Sequence, residues 1–222
     1  MDYIYPPWKP SEKQDMMYIY WLYLLLYGFL YYTLTQGAQF AGLAVLPTMT
    51  VSLVLSFTSI FVAMIGIKTL GEEPSRIQWV GLVLNILGAC LYFFPVRLIR
   101  EQWLGVGIVF LGMLANSVSM VLGRKINRDM QLSPISVTTI SMGIGAGLLL
   151  AAGLSTEPTP QFTLANWGLL VWMAVINTAL AFTMWNKALQ KLEAMEASII
   201  NNTIMIQIAL MAWVVLGENL NG

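Results

Sequence analysis

Seven apolar runs, each 20 to 24 residues long and almost free of charge, divide the chain from residue 16 onward. They cover 16–39, 44–67, 77–96, 102–123, 134–154, 166–186 and 194–216. A helix rises about 1.5 Å per residue, so roughly 20 such residues cross a hydrocarbon core about 30 Å thick. Backbone amides find no water inside lipid, which leaves helices as the spanning form for runs of this length. The expected fold is therefore all-α, a polytopic membrane helix bundle of seven spans joined by short loops. The breaks fall at polar, helix-ending clusters such as Gly71, Glu72, Glu73 and Pro74, and none is long enough to fold as a separate domain.

The remaining composition excludes most soluble chemistry. Eleven basic residues cancel eleven acidic ones, so no excess charge draws in a nucleic acid. Histidine is absent and Cys90 is the single cysteine, which removes imidazole triads, histidine-based zinc sites and internal disulfides. No enzymatic activity, metal or cofactor is expected. Residues 1–15 lack the basic start, short apolar stretch and small-residue cleavage site of a signal peptide and read as a cytoplasmic segment. With that segment inside the cell, Lys9, Lys13, Lys68, Arg76, Arg124, Lys125, Arg128, Lys187 and Lys191 share its side, and only Arg97 and Arg100 fall opposite. Positive charge collects on the cytoplasmic side of short loops, so the amino terminus is expected there, in a plasma membrane. Trp21, Trp79, Trp103 and Trp167 stand near span ends, where an indole anchors at the headgroups.

The chain also repeats itself. Shifted by 146 residues, 21–72 aligns without a gap on 167–218, and twelve of the fifty-two positions are identical. Trp21 pairs with Trp167, Ser52 with Ser198, and Leu70-Gly71-Glu72 with Leu216-Gly217-Glu218. The copies begin at the first and sixth spans, five crossings apart, so they point in opposite directions across the membrane. Inverted repeats of this kind build transporters whose midplane site opens alternately to each side. A unit of five helices used twice gives ten. On that count, residues 16–96 supply the last three helices of one unit and 97–222 the first four of the next. Two further helices are expected upstream and one downstream.

These residues resemble the drug/metabolite transporter superfamily, in particular its EamA-type members. The resemblance rests on Ala188, Leu189, Leu192, Ala194, Ala197 and Ser198 followed by a helix ending in Leu216-Gly217-Glu218. In the first copy, Leu70-Gly71-Glu72 is followed by Ile77, Trp79, Gly81, Leu82 and Gly88, like the last helix of a family unit. It implies a ten-helix transporter of two inverted halves around a central cavity.

No ionisable side chain lies well inside a span, so proton relays are not visible and neutral polar groups carry the candidate site. Asn201, Asn202 and Gln207 crowd the seventh span. Ser52 and Ser56 are the repeat counterparts of Ser198 and Asn202, which would place them on opposing walls. Asn177, Trp185 and Tyr31 add an amide and two aromatic faces to the substrate-binding set. A lone amide such as Asn85 reads as an interhelical hydrogen-bonding group. Glu72 and Glu218 read as helix-end groups, with Gly71 and Gly217 suited to left-handed stops. Gly143 and Gly147 read as a close-packing pair. The expected activity is alternating-access transport of a small polar or amphipathic organic metabolite. Its partners are the lipid bilayer and that solute, with a homodimer left open. The alternatives are a seven-helix receptor or sensor, or an inactive transporter fragment.

Overall fold

The computed structural model describes residues 10–93, 100–130, 132–156, 163–204 and 207. Among these the structure is helical, in the order α1 (Pro10–Tyr27), a π-helical segment (Gly28–Thr35), α2 (Gln36–Val45), α3 (Thr48–Ser56), α4 (Thr58–Leu70), α5 (Arg76–Phe93), α6 (Trp103–Asp129), α7 (Pro134–Thr156), α8 (Leu164–Trp172), a second π-helical segment (Met173–Leu180), α9 (Ala181–Ala188) and α10 (Ala194–Asn202). Continuous helical stretches over Met17–Val45, Thr48–Leu70, Trp103–Asp129, Pro134–Thr156 and Leu164–Ala188 are each long and apolar enough to cross a membrane. The third apolar run forms α5, whose apolar stretch Arg76–Leu91 is shorter, and the seventh begins as α10. Leu216, Gly217 and Glu218 lie outside the described residues.

Local chemistry explains the breaks. Pro47 cannot donate, so α2 stops before it and α3 starts after it. Gly71 ends α4 at φ 64°, ψ 27°, the left-handed stop its sequence position implies. The Thr163 hydroxyl accepts from the Asn166 N–H at the start of α8. Glu193 and Glu196 form a reciprocal capping box at the start of α10.

Packing places the first span between α6 and α7. Tyr27 lies against Gly123, Ala38 against Gly112, and Val45 and Leu46 against Gly105, a descending series that makes α6 antiparallel to the first span. Gly28 meets Ser141, Tyr32 meets Gly145 and Gly37 meets Leu149, an ascending series that makes α7 parallel to it. The close-approach glycine of α7 is therefore Gly145. Gly143 and Gly147 face open space, which corrects the pairing expected from their spacing; a small-residue pattern names a helix but not which of its faces is occupied. A second correction concerns α6, which runs to Asp129, past the boundary at Gly123 suggested by the charges at Arg124, Lys125 and Arg128. Those residues complete its last two turns, because Arg124 finds buried partners and Lys125 donates to the Tyr23 hydroxyl at 3.0 Å.

The outer surface carries the large apolar side chains a lipid solvent calls for, among them Leu22, Phe40, Val80, Leu104 and Leu150. Trp21, Trp79, Trp103 and Trp167 are all exposed, as interfacial anchors are. Along α8, Leu164, Trp167, Leu169, Val171 and Trp172 are exposed as well.

The 146-residue offset read from the sequence has a local parallel in the helix bounds. Helices α3 (Thr48–Ser56) and α10 (Ala194–Asn202) are both nine residues long and offset by 146 residues at either end. Each is followed by a single-residue turn, Phe57 in one copy and Thr203 in the other. The two eight-residue π-helical segments, Gly28–Thr35 and Met173–Leu180, sit 145 residues apart. In each, a threonine hydroxyl fills the widened turn by donating to the carbonyl five residues back: Thr35 to Leu30 at 2.8 Å and Thr178 to Met173 at 2.9 Å.

Candidate functional site

Three polar assemblies hold the bundle together, and each joins elements distant in sequence. In the first, the Asn202 side-chain amide donates to the Ser56 carbonyl at 2.9 Å, to the Ser59 hydroxyl at 2.9 Å and towards the Asn85 side-chain oxygen at 3.2 Å. Ser198 bonds to Ser59 at 2.9 Å, so α10 is stitched to α3, α4 and α5 by neutral groups. Asn85 thus makes the interhelical hydrogen bond expected of a lone amide in a span. Ser56 and Asn202, counterparts in the repeat, touch each other instead of facing each other across a cavity. The Ser56 hydroxyl is turned back on its own helix, donating to Leu53 at 2.6 Å.

The second assembly centres on Asn186, which is fully buried. Its side-chain oxygen accepts from the Asn127 amide at 2.8 Å and from the Tyr27 hydroxyl at 3.5 Å. Its own amide donates to Thr138 at 2.9 Å and to the Phe182 carbonyl at 3.1 Å. Tyr31 stacks on Tyr27 with ring centroids 5.4 Å apart and meets Phe182 edge-on at 5.7 Å, so an aromatic wall adjoins the amides. The Asn127 side-chain oxygen and the Trp185 indole N–H are buried and have no hydrogen-bond partner among the described residues.

The third assembly is charged. Glu72 is buried, and its carboxylate accepts from the Ala194 backbone N–H, 3.0 Å from Oε2 and 3.2 Å from Oε1. Arg124 Nε lies 3.4 Å from Oε1 of the same group, and Arg124 Nη1 donates to the Leu189 carbonyl at 2.7 Å. The acid thus closes the start of α10 in the second copy from the end of α4 in the first. Room for it comes from Gly66, where a Cβ would stand 3.2 Å from Oε2. Burial pushes the Glu72 carboxyl above its usual value, opposed by the Ala194 N–H and by Arg124.

Of the other sequence candidates, Ser52 is half-buried on α3, while Asn177 on the second π-helical segment, Asn201 and Gln207 are exposed. Gln207 donates to Thr203 at 3.3 Å. Tyr31 joins the aromatic wall and Trp185 packs in an apolar cluster with Val62, Met120 and Leu189. Sequence reasoning missed Asn127 and Arg124, because charges at 124, 125 and 128 read as a loop, and Thr138, whose hydroxyl in an apolar run carries no signal of its partner Asn186. A one-turn spacing of Arg124 and Asn127 on an extended α6 was the available signal.

Apolar helices long enough to span, with a lipid-type exterior and polar side chains bonded between helices, define an integral membrane protein. The profile of the EamA-like transporter family matches residues 4–94 and again 102–222, and the chain belongs to that family. It is 22% identical over 202 residues to the "Uncharacterized transporter YyaM" of Bacillus subtilis, an alignment covering 88% of this chain and 64% of the relative. It is 28% identical over 193 residues to the "Uncharacterized transporter sll0355" of Synechocystis sp., covering 79% of this chain and 58% of that protein. The chain thus spans less than two thirds of the length of these relatives. A solved crystal structure superposes with a TM-score of 0.75 at 15% identity, over 91% of this chain and 69% of that one, a likeness of fold.

Proposed function

We propose that the chain forms part of a transporter that moves a small polar or amphipathic organic metabolite by alternating access between two inverted half-repeats. Residues 16–96 would be the last three helices of one five-helix unit and 97–222 the first four of the other, with 1–15 on the cytoplasmic side of a plasma membrane. The observation that carries this reading is the pair of helices Thr48–Ser56 and Ala194–Asn202, offset by 146 residues at both ends. Two halves with the same local architecture can exchange conformations, which is what alternating access requires.

Tyr31 and Asn177 are the natural lining pair. They are counterparts at the 146-residue offset, and both sit on π-helical segments, a geometry that concentrates at functional sites. Asn177 is exposed within a spanning stretch, where an amide calls for protein or water. Asn201, Asn202, Ser52, Ser56, Gln207 and Trp185 complete the polar and aromatic set, and the chemistry needs no cofactor and no catalytic residue. The test is counterflow in proteoliposomes preloaded with mixed metabolite pools. Exchange of a labelled neutral solute, reduced by Asn177→Ala and by Tyr31→Ala, is expected; no counterflow with any pool contradicts the reading.

A further inference from the structure

Glu72 and Arg124 do more than neutralise each other. The Glu72 carboxylate is the last group of the first repeat copy, and it reaches the first helical N–H of α10 in the second copy. Arg124 grips the same carboxylate while holding the Leu189 carbonyl in the turn that precedes α10. One turn further along α6, Asn127 holds Asn186, which lies one turn before Leu189. Arg124 with Leu189 and Asn127 with Asn186 are thus two crossed ties between the same two elements, one turn forward on α6 answering one turn back on α9. They lie at the end of the bundle where α4, α6 and α9 finish and α7 and α10 begin.

We propose that Glu72 and Arg124 form a latch between the repeat copies, closing this end of the bundle over the Tyr27, Asn127, Thr138 and Asn186 knot. The α10 N-terminus supplies two terms at once, an N–H to the carboxylate and the positive end of the helix dipole. Capping by the helix's own residues is already provided by Glu193 and Glu196, so the Glu72 contact is an additional tie from outside the helix. Gln78 adds a neighbouring strut, donating to the Glu193 carboxylate at 3.0 Å. When this end opens, α10 and the end of α4 separate, and the carboxylate, the guanidinium and the Leu189 carbonyl all lose their partners together. Such a contact has two discrete states, made or broken, which suits a gate better than a sliding apolar surface. The purpose of the latch rests on the alternating-access reading; the latch itself is measured without any solute.

The experiment uses Ser141→Cys as a reporter in a Cys90→Ser background, in membrane vesicles of known sidedness. Ser141 is fully buried on α7, about one turn deeper than Thr138. Its reaction with a small water-soluble maleimide reports opening at the latch end. Glu72→Ala and Arg124→Ala are expected to raise the labelling rate about tenfold or more, because removing one partner of a buried pair strands the other. The rise is expected only from the side of the α6–α7 loop. Ala194→Pro removes the capped N–H at a position where helices accept proline, after a residue already at ψ 155°. It is expected to give a smaller rise on the same side, and it decides the matter if the charge variants fail to fold. An unchanged rate in Ala194→Pro overturns the proposal, as does a rise from both sides, which marks general loosening. Absence of counterflow beside a one-sided rise would sink the transport reading and leave the latch standing.

Discussion

The Asn202 side chain donates to the main-chain carbonyl of Ser56 at 2.9 Å, and the two residues are each other's counterparts in the 146-residue repeat. A residue can touch its own counterpart only where the axis relating the two copies passes between them. Under the proposed inverted repeat this contact is where the copies meet; Ser59, Asn85 and Ser198 bond in the same cluster. Removing the amide strips three acceptors of one donor. Asn202→Ala is expected to lower unfolding free energy in detergent by about 1 to 2 kcal/mol. Asn201→Ala, one residue away but exposed, is expected to cost less than about 0.5 kcal/mol. Equal losses in the two would contradict the assignment.

The first span and α7 leave no room for a side chain at two positions. A Cβ on Gly28 would collide with the Ser141 carbonyl oxygen, and one on Gly145 would stand 2.6 Å from the Gly28 carbonyl oxygen. Both obstacles are backbone, which cannot rotate away. Gly28→Ala and Gly145→Ala are each expected to destabilise by about 1 to 3 kcal/mol or more. Gly143→Ala and Gly147→Ala, which open onto empty space, are expected to leave thermal unfolding within about a degree of the parent or to raise it slightly, since alanine favours helix.

Glu72 gives a pH dependence of defined sign. Burial raises its carboxyl above the ordinary value despite the Ala194 N–H and Arg124, so the folded protein binds that proton more tightly than the unfolded chain does. The stabilisation from protonating it is present at low pH and fades as pH rises through the raised folded value. Measured as Tm against pH, the difference between wild type and Glu72→Gln should shift in favour of wild type as pH falls from neutral toward the usual carboxylate range. A difference that moves in favour of Glu72→Gln on acidification contradicts the burial-dominated sign.

Much of this architecture was legible in local pattern. Apolar run length marked the helical stretches and Gly71 the end of α4, whereas the break at Pro47 falls inside the run placed at 44–67. What stayed hidden was pairing over long range. Arg124 and Asn127 look like loop residues because a charge near a span end is ordinarily solvated; only the fold brings Glu72 and Leu189 to the guanidinium. Likewise Gly143, Gly145 and Gly147 share a spacing, and it takes the position of Tyr32 to single out Gly145. Asn202 was legible as a polar group inside a span and read as a lining candidate, yet its partner, the Ser56 backbone, carries no sequence signal at all.

The proposed function requires the two copies of the repeat to lie upside down relative to each other. Sidedness of Ser75→Cys and Asn221→Cys, each in a Cys90→Ser background, tests it by labelling intact and opened cells with an impermeant maleimide. Cysteine at 75 is expected to react only from the cytoplasm and cysteine at 221 only from outside. Reaction of both from one compartment would contradict it.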